Sequence, residues 1–354
     1  MLISVVVPTF NRGPRVRRAL ESVLAQGHAE VEVIVVDDGS TDETPDVVAT
    51  LAEHDPRVRY LRQDQAGVAG ARNRGLAHAR GDLIAFLDSD DRWQPWKLEF
   101  QLACLRRAPE AGMMWTEMTA VSPDGGTVPD MGLRDILTFR FALDEMFEET
   151  LPLERMTELP SELRDGSLYV GDIYSKLVLG NLVLPSSVLM TRERLERVGR
   201  FDETLEVAGE DFDFFLRVCR EGPVAFSDVP TVLYQVGEAD QLTHSSKTVY
   251  MARNYVRTLE GALADDRERI DLDPKLVRRT RAHAHTWAGQ AYLDAGDAAS
   301  ARPHLRTAIE LGSRRAIGLG VAALAPNRVR SRGIALAHAA SQRMRGADRT
   351  NASG

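Results

Sequence analysis

Short runs of β-branched apolar residues alternate with longer amphipathic stretches over the first hundred residues of the chain. The runs predict the strands of a parallel sheet, and the stretches between them predict helices that cover it. Strands are predicted at residues 3–7, 32–36, 58–61, 83–87 and 113–121. Helices are predicted at residues 15–26, 43–53, 68–79, 95–107 and 211–220. The alternation therefore indicates an α/β fold, with a mostly parallel central sheet flanked by helices.

Three clusters of polar residues directly follow predicted strands. They are Pro8-Thr9-Phe10-Asn11, residues 37–42 and residues 88–91. Open sheets of this kind bind ligands in the crevice beyond the carboxyl ends of their strands. We therefore expect the three clusters to line one binding site.

The last cluster, Asp88-Ser89-Asp90-Asp91, places three carboxylates in one short loop. These carboxylates repel one another unless a positive charge lies among them. Mg²⁺ and Mn²⁺ accept carboxylate oxygens and are commonly bound by one or two carboxylates together with substrate phosphates. A cap for the following helix would need only one such side chain. The cluster therefore predicts a divalent metal site.

Asp37 and Asp38 end the second predicted strand. Gly39 suits a turn, and Ser40 or Thr41 can cap the next helix. Those structural roles leave the two carboxylates unexplained. Either carboxylate could accept a hydrogen bond from a base imide or a ribose hydroxyl.

Small residues from Gly67 onward begin the third predicted helix and precede Arg72. A helix N-terminus with small side chains can bring backbone N–H groups near a phosphate, and Arg72 can add charge-assisted hydrogen bonds. The dinucleotide-binding fingerprint needs its glycines directly after the first strand, where this chain has Pro8-Thr9-Phe10-Asn11. A nicotinamide-dependent enzyme is therefore disfavoured.

Six segments, taken in order, carry a resemblance to a known family. They are residues 5–12, 36–42, 67–73, 87–99, 199–203 and 210–213. Together they resemble the motifs of the inverting family-2 glycosyltransferases over residues 1 to about 245. The resemblance implies the nucleotide-diphospho-sugar transferase fold, which is GT-A-like.

The resemblance also implies roles for individual residues. The nucleotide-sugar donor would be bound by Pro8, Thr9, Phe10, Asn11, Asp37, Asp38, Gly67, Arg72, Asp88 and Ser89. Within that set, Asp38 would face the base with Phe10 beside it, and Asp88 would contact the ribose. Asp90, with Asp91 and His244, would bind the Mn²⁺ or Mg²⁺ ion that bridges the diphosphate.

Glu210 and Asp211 match the family's catalytic acidic pair. From the residues alone, acidic side chains in a first helical turn need no more explanation than the helix dipole. The resemblance implies that Asp211 is the general base, which takes a proton from the acceptor hydroxyl during a single inverting displacement. The metal would act as a Lewis acid on the leaving group.

Domain boundaries follow from the extent of the resemblance. We expect a glycosyltransferase domain at residues 1–246, with a donor half (1–122) and an acceptor half (123–246) that contains an insertion at 129–180. Residues 247–354 are predicted to be helical throughout. Within them, residues 285–311 predict a helical hairpin similar to one tetratricopeptide unit, for which an antiparallel helix pair is the simpler interpretation.

Charge is distributed unevenly along the chain. Residues 1–250 carry 26 Lys and Arg against 42 Asp and Glu, whereas residues 251–354 carry 18 against 10. The acidic first part argues against a nucleic-acid partner. Residues 314–354 hold eight Arg and one acidic residue, so this tail is expected either to contact an anionic membrane surface or to form a solvated terminal helix. With no apolar run of membrane-spanning length and no secretory signal, we expect a cytoplasmic protein, which the first of these two alternatives would make peripheral on the inner face of the membrane.

The leading hypothesis is a metal-dependent transferase that moves a sugar from a nucleotide-diphosphate donor, a UDP-sugar, to a saccharide or lipid-linked acceptor. Such a reaction belongs to polysaccharide or glycoconjugate biosynthesis. One alternative is a sugar nucleotidyltransferase, although its usual glycine-rich basic loop is reduced to Arg12 and Gly13. A catalytically silent binding or scaffold protein is the other alternative, and the acidic residues at 88–91 and 210–211 argue against it.

Overall fold

The computed structural model describes residues 1–28, 30–129, 131–133, 142–157, 159–237 and 247–324 of the 354-residue chain. The chain divides into two compact units. The sheet unit comprises Met1–His244 with Asp266–Ile270, and the helical unit comprises Ser245–Asp265 with Asp271–Gly354. In the described ranges, none of the helices is both long enough and apolar enough to cross a membrane.

The two units have the following elements. The strands of the sheet unit are β1 (Ile3–Thr9), β2 (Val31–Asp37), β3 (Val58–Arg62), β4 (Leu83–Phe86), β5 (Arg92–Trp93), β6 (Met113–Val121), β7 (Glu149–Pro152), β8 (Ser167–Gly171), β9 (Leu189–Thr191) and β10 (Val224–Gln235). Its helices are α1 (Gly13–Leu24), α2 (Thr44–His54), α3 (Gly67–His78), α4 (Lys97–Arg107), α5 (Leu143–Met146), α6 (Tyr174–Leu177), α7 (Arg192–Val198) and α8 (Glu210–Arg220). The helical unit consists of α9 (Thr248–Asp265), α10 (Pro274–Asp294), α11 (Ala298–Glu310) and α12 (Arg314–Leu324).

The first half of the sheet is parallel, as predicted. Strands β3, β2, β1 and β4 lie side by side in that order. Every residue of β1 and β2 is buried, which agrees with their mostly β-branched apolar sequences because parallel sheets are covered on both faces. The predicted strands and helices of this half are confirmed apart from their end residues. One difference is that α4 begins at Lys97, after Pro95 rather than at it.

Beyond β4 the sheet is mixed. Strand β9 pairs antiparallel with both β4 and β6, and β10 runs parallel to β6 but antiparallel to β8. The register between β10 and β6 shifts on either side of Pro230, as expected because proline cannot donate to the hydrogen-bond ladder. The predicted fold class is confirmed, an α/β fold with helices flanking the sheet and a helical C-terminal extension, and its second half adds antiparallel pairs to the parallel core.

The predicted insertion at 129–180 extends the sheet in its described parts. Strand β7 pairs with β8, and β8 pairs with β10. Within the insertion, Leu143–Met146 form the short helix α5. Residues 134–141 lie outside the described residues.

Aromatic packing sets the position of α8 against β4. The ring of Phe86 makes edge contacts with Phe201, Phe214 and Phe215 at centroid distances of 5.6, 6.2 and 6.2 Å. Gly209, just before α8, has φ +94°, a left-handed conformation that glycine adopts without steric cost. The first turn of α8 therefore begins sharply beside the end of β4.

The helical unit has its own apolar core. Small residues dominate where α10, α11 and α12 meet, and the core is Leu293, Ala298, Ala301, Leu305, Ala308, Ala316, Leu319 and Ala323. Helices α10 and α11 lie where the sequence predicted a helical hairpin. Residues 325–354, which include most of the predicted membrane-contacting tail, lie outside the described residues.

Candidate active site

The loops after β1, β2 and β4 meet at one edge of the sheet. Thr9 and Asp37 are register partners at the ends of β1 and β2. The Asp38 N–H donates to the Thr9 carbonyl at 2.9 Å, and the Leu87 N–H donates to the Val6 carbonyl at 3.1 Å. The structure therefore brings the three predicted polar clusters together.

The loop after β1 is held by a contact between side chain and backbone. Pro8 is buried within β1, whereas the Phe10 ring beyond it is 38% exposed. Asn11 has φ +51°, a region that Asn tolerates better than most residues. Its N–H donates to Ser40 Oγ at 2.9 Å, and its Oδ1 accepts from the Thr41 N–H at 2.8 Å. Asn11 thus joins the first two loops and leaves Phe10 presented at the edge.

Asp37 is committed to internal contacts. The side chain is buried, its Oδ1 accepts from the Ser40 N–H at 2.8 Å, and its Oδ2 accepts from the Tyr60 hydroxyl at 2.7 Å. Burial, together with this hydrogen bond to Asp37, raises the pKa of Tyr60 above its usual value. Asp37 therefore orders the loop that carries Asp38.

Asp38 binds the start of α3. Its Oδ1 accepts from Gln63 Nε2 and from the Ala66 N–H, and its Oδ2 accepts from the Gly67 N–H, each at 2.8 Å. A carboxylate at a helix N-terminus is stabilised by the unpaired amides and the helix dipole. The sequence did not predict this contact, and it commits the Gly67 amide to a partner within the protein.

Arg72 joins two parts of the site. One is the edge of the sheet that carries the loops after β1, β2 and β4, here called the donor edge, and the other is the acidic pair Glu210 and Asp211. Its guanidinium is 2% exposed, donates to Asp88 Oδ1 at 2.8 Å and to Glu210 Oε1 at 2.5 Å, and lies 5.4 Å from the Phe201 ring centroid. Burial opposes the charge, but Asp88 and Glu210 together raise the pKa of Arg72 above its usual value. Sequence reasoning assigned Arg72 to a phosphate and missed this bridge between two carboxylates.

The acidic run, residues 88–91, is crowded and partly buried. The side chain of Asp88 is 29% exposed and that of Ser89 is buried. Burial and the charge of Asp88 raise the pKa of Asp90 to about 6, while Arg12 opposes the shift. A carboxylate held against a like charge in this way favours a cation.

Asp91 is tied into the sheet unit. It is 1% exposed, its Oδ2 accepts from the Ser186 hydroxyl at 2.6 Å, and its Oδ1 accepts from the Gln235 N–H at 3.1 Å. The same Ser186 oxygen accepts from the Asp88 N–H at 3.1 Å. Burial and the neighbouring carboxylates raise the pKa of Asp91 well above its usual value. Ser186 and Gln235, which no sequence motif indicated, therefore hold the run in place.

A divalent cation fits these residues only if a substrate supplies some of its ligands. Among the described residues, no group of three or more His, Cys, Asp or Glu side chains could hold a metal ion. The predicted ligand His244 lies outside the described residues. One or two carboxylates completed by donor phosphates are nevertheless a common environment for Mg²⁺, and the crowded Asp88 and Asp90 provide them.

The acidic pair opens α8, and its two members have different surroundings. Glu210 is 3% exposed, and burial raises its pKa to about 7 although Arg72 opposes the shift. Asp211 accepts a hydrogen bond at Oδ2 from Asn181 Nδ2 at 3.2 Å. Burial also raises the pKa of Asp211, again against the charge of Arg72. Glu210 is thus locked to the donor edge, whereas Asp211 meets the segment that follows the insertion.

Several buried polar atoms around this edge have no hydrogen-bond partner among the described residues. They include Thr9 Oγ1, Arg72 Nε and Glu210 Oε2. Buried polar groups are nearly always bonded, so a local concentration of exceptions calls for an explanation. Two of them, on Arg72 and Glu210, lie where the loop after β4 meets α8, and a polar ligand bound there would satisfy them.

Comparisons with known proteins agree with this architecture. A family model described as Glycosyl transferase family 2 matches residues 4–117. The succinoglycan biosynthesis protein ExoW of Rhizobium meliloti (strain 1021) is 33% identical over 302 residues, which cover 82% of this chain and 86% of that protein. The chain therefore belongs to glycosyl transferase family 2.

Two solved structures share the fold. Residues 1–349 of TarS from S. aureus, in complex with UDP-GlcNAc, align with a TM-score of 0.53 at 18% identity over 91% of each chain. The mannosyltransferase PcManGT from Pyrobaculum calidifontis, in complex with GDP-Man and Mn²⁺, aligns with a TM-score of 0.50 at 21% identity, covering 94% of this chain and 84% of that one. By contrast, the chain spans 36% or less of the length of the first curated relatives that it matches.

Proposed function

We propose that this protein is an inverting glycosyltransferase that moves a sugar from a nucleotide-diphosphate donor to a hydroxyl group of an acceptor. The observation that carries the proposal is the buried bridge from Asp88 through Arg72 to Glu210. The bridge holds the predicted donor edge and the predicted catalytic pair in one place. Family membership supports the same reaction class.

The donor is proposed to be a UDP-sugar. Phe10 is an exposed ring at the edge where a base could pack, and Asp38, in the next loop, donates its N–H to the carbonyl of the neighbouring Thr9. The structural relatives support a nucleotide-diphosphate donor, since one is in complex with UDP-GlcNAc and the other with GDP-Man. The role of Asp88 at the ribose remains a prediction. So does that of Asp38 at the base, which requires the base to share the oxygens that already accept from Gln63 and the start of α3.

Asp90 is the proposed metal ligand, and Mn²⁺ or Mg²⁺ the proposed ion. The Mn²⁺ complex of PcManGT supports a metal in this fold. When bound, the cation would supply Lewis-acid stabilisation of the departing diphosphate. Both oxygens of Asp91 accept hydrogen bonds from the protein, so we assign Asp91 to holding the loop. The role of His244 stays a prediction.

Asp211 is the proposed general base. Its carboxylate accepts the proton of the acceptor hydroxyl while the acceptor oxygen attacks the anomeric carbon. The bond from that carbon to the diphosphate oxygen breaks with its electron pair leaving on the diphosphate, and the anomeric configuration inverts. General-base assistance of this kind contributes about 10²- to 10⁴-fold to the rate. Glu210, paired with Arg72, keeps the first turn of α8 attached to the donor edge.

The acceptor is proposed to be a saccharide or a lipid-linked saccharide. The name of ExoW, a succinoglycan biosynthesis protein, supports a role in polysaccharide biosynthesis. The insertion, through β7 and β8, is the proposed source of acceptor specificity. A contact of the C-terminal tail with an anionic membrane surface is part of the same proposal.

The test compares two variants of α8. Asp211→Asn should bind UDP with normal affinity by calorimetry yet lose turnover of a panel of UDP-glucose, UDP-galactose and UDP-GlcNAc. The matched control is Asp213→Asn, since Asp213 lies two residues further along α8, on its opposite side, and pairs with Arg217 at 2.7 Å. Normal turnover in Asp211→Asn would contradict the assignment of Asp211 as the general base. A large loss of UDP affinity would instead make Asp211 a binding residue.

A further inference from the structure

The segment 181–187 contacts both halves of the proposed machinery. At its far end, Ser186 bonds the acidic run through Asp88 and Asp91. At its near end, Asn181 bonds the proposed base, Asp211. This short segment directly follows the insertion, so the part of the chain proposed to meet the acceptor leads straight to the base.

The orientation of the Asn181 amide follows from its second hydrogen bond. Its Oδ1 accepts from the Val183 N–H at 2.9 Å. An amide oxygen committed to a backbone N–H leaves the NH₂ group to face the other way. The Asn181 Nδ2 therefore donates to Asp211 Oδ2, and the reverse orientation would set an oxygen against a carboxylate.

The amide is also held firmly in place. Residues 182–187 are buried, and Pro185–Ser187 form a 3-10 turn in which the Ser187 N–H donates to the Leu184 carbonyl at 3.0 Å. A donor on a rigid segment loses little conformational entropy when it bonds its partner. Asn181 thus meets the requirement for a residue that orients another.

We propose that Asn181 is a positioning residue, whose amide holds the Asp211 carboxylate in the orientation from which it accepts the proton of the acceptor. The proposal rests on the assignment of Asp211 as the general base. A hydrogen bond to a charged group is among the stronger ones in proteins. The other charges that act on Asp211 are Arg72, Asp88 and Glu210, and none of them is changed by substitution of Asn181.

Two substitutions separate positioning from loop support. Asn181→Asp keeps an oxygen for the Val183 N–H but replaces the donor to Asp211 with a second carboxylate. Asn181→Ala removes both contacts. The control for added charge is Ala299→Asp, at an exposed position in the first turn of α11. Each variant is assayed with the UDP-sugar of highest turnover, with water as the acceptor, over pH 5 to 9.

Asn181→Ala should lower kcat about 10-fold or more, with KM for the UDP-sugar within about twofold of the native value. In Asn181→Asp the acid limb of kcat should move up by about one pH unit or more, because a neighbouring carboxylate raises the pKa of the base. Activity falls below the pKa of a base, so a higher pKa moves the limb to higher pH. Ala299→Asp should leave both quantities unchanged.

Asn181→Asp with a native melting temperature, native kcat and an unmoved acid limb would show that Asn181 only supports the loop. A loss of kcat in Asn181→Asp that is of equal size at every pH would also overturn the proposal. If Asn181→Ala fails to fold, Asn181→Asp still decides the question, since it retains the Val183 contact. An active Asp211→Asn would instead overturn the proposed base itself, and so the two failures are distinguishable.

Discussion

Replacing Arg72 with methionine tests whether the buried bridge organises the site. The substitution keeps much of the side-chain volume but leaves Glu210 buried without a counter-charge. Breaking a buried ion pair by removing one partner costs about 3–5 kcal/mol. For a unit of this size, the cost corresponds to a fall in melting temperature of roughly 6–20 °C.

The size of the effect should depend on pH. Burial raises the pKa of Glu210 to about 7 against the opposing charge of Arg72, so without Arg72 the folded-state pKa rises further. Below about pH 5 the Glu210 carboxyl is neutral with or without Arg72. Glu210 therefore contributes least there to the difference between the two proteins in the free energy of unfolding. As pH rises through 7, Glu210 ionises, and its charge is stabilised by Arg72 only in the unsubstituted protein. The difference in the free energy of unfolding should therefore grow from pH 5 to pH 8.

The assay is urea denaturation at both pH values, with thermal melting as a second measurement. Arg197→Met is the matched control, because Arg197 and Glu193 form an exposed pair at 3.7 Å on α7, where ion pairs contribute about 0–1 kcal/mol. A melting temperature for Arg72→Met within about 2 °C of that control would refute the reasoning. Equal destabilisation at pH 5 and pH 8 would refute the assignment of the effect to Glu210.

Two further outcomes are expected. Asp90→Ala should abolish Mn²⁺-dependent hydrolysis of a UDP-sugar, measured as UDP release. The control Asp64→Ala, at an exposed position, should keep this activity. Native activity in Asp90→Ala would show that Asp90 is not a metal ligand. Deletion of residues 325–354, which contain six Arg, should reduce sedimentation with phosphatidylserine vesicles but not with phosphatidylcholine vesicles. Unchanged sedimentation would favour a solvated tail.

The parallel half of the sheet could be predicted because apolar residues dominate β1, β2 and β4, with polar residues inside the runs only at Ser4 and Glu32. The second half could not be read in the same way. Strands β5 and β9 are two and three residues long, too short to show a periodic pattern. In β10, the register shift at Pro230 interrupts the alternation that marks a strand.

The acidic run and the pair at the start of α8 were identified by motif, because their neighbours in sequence carry the signal. The contacts that organise them join residues far apart in the chain. Arg72 and Glu210 are separated by 138 positions, and Asn181 and Asp211 by 30. No spacing rule relates such pairs, so the partners emerged only from the fold.

The contact between Asp38 and the start of α3 affects how donor preference could change in evolution. The first amides of α3 already bind a carboxylate, so a phosphate that approached this helix end would meet a negative charge. Under the proposed function, recognition of the base and neutralisation of the diphosphate would therefore fall to separate loops, after β2 and after β4. Substitutions around Asp38 and Gln63 could then alter base preference while the loop at 88–91 keeps its chemistry, and related enzymes could diverge in donor one loop at a time.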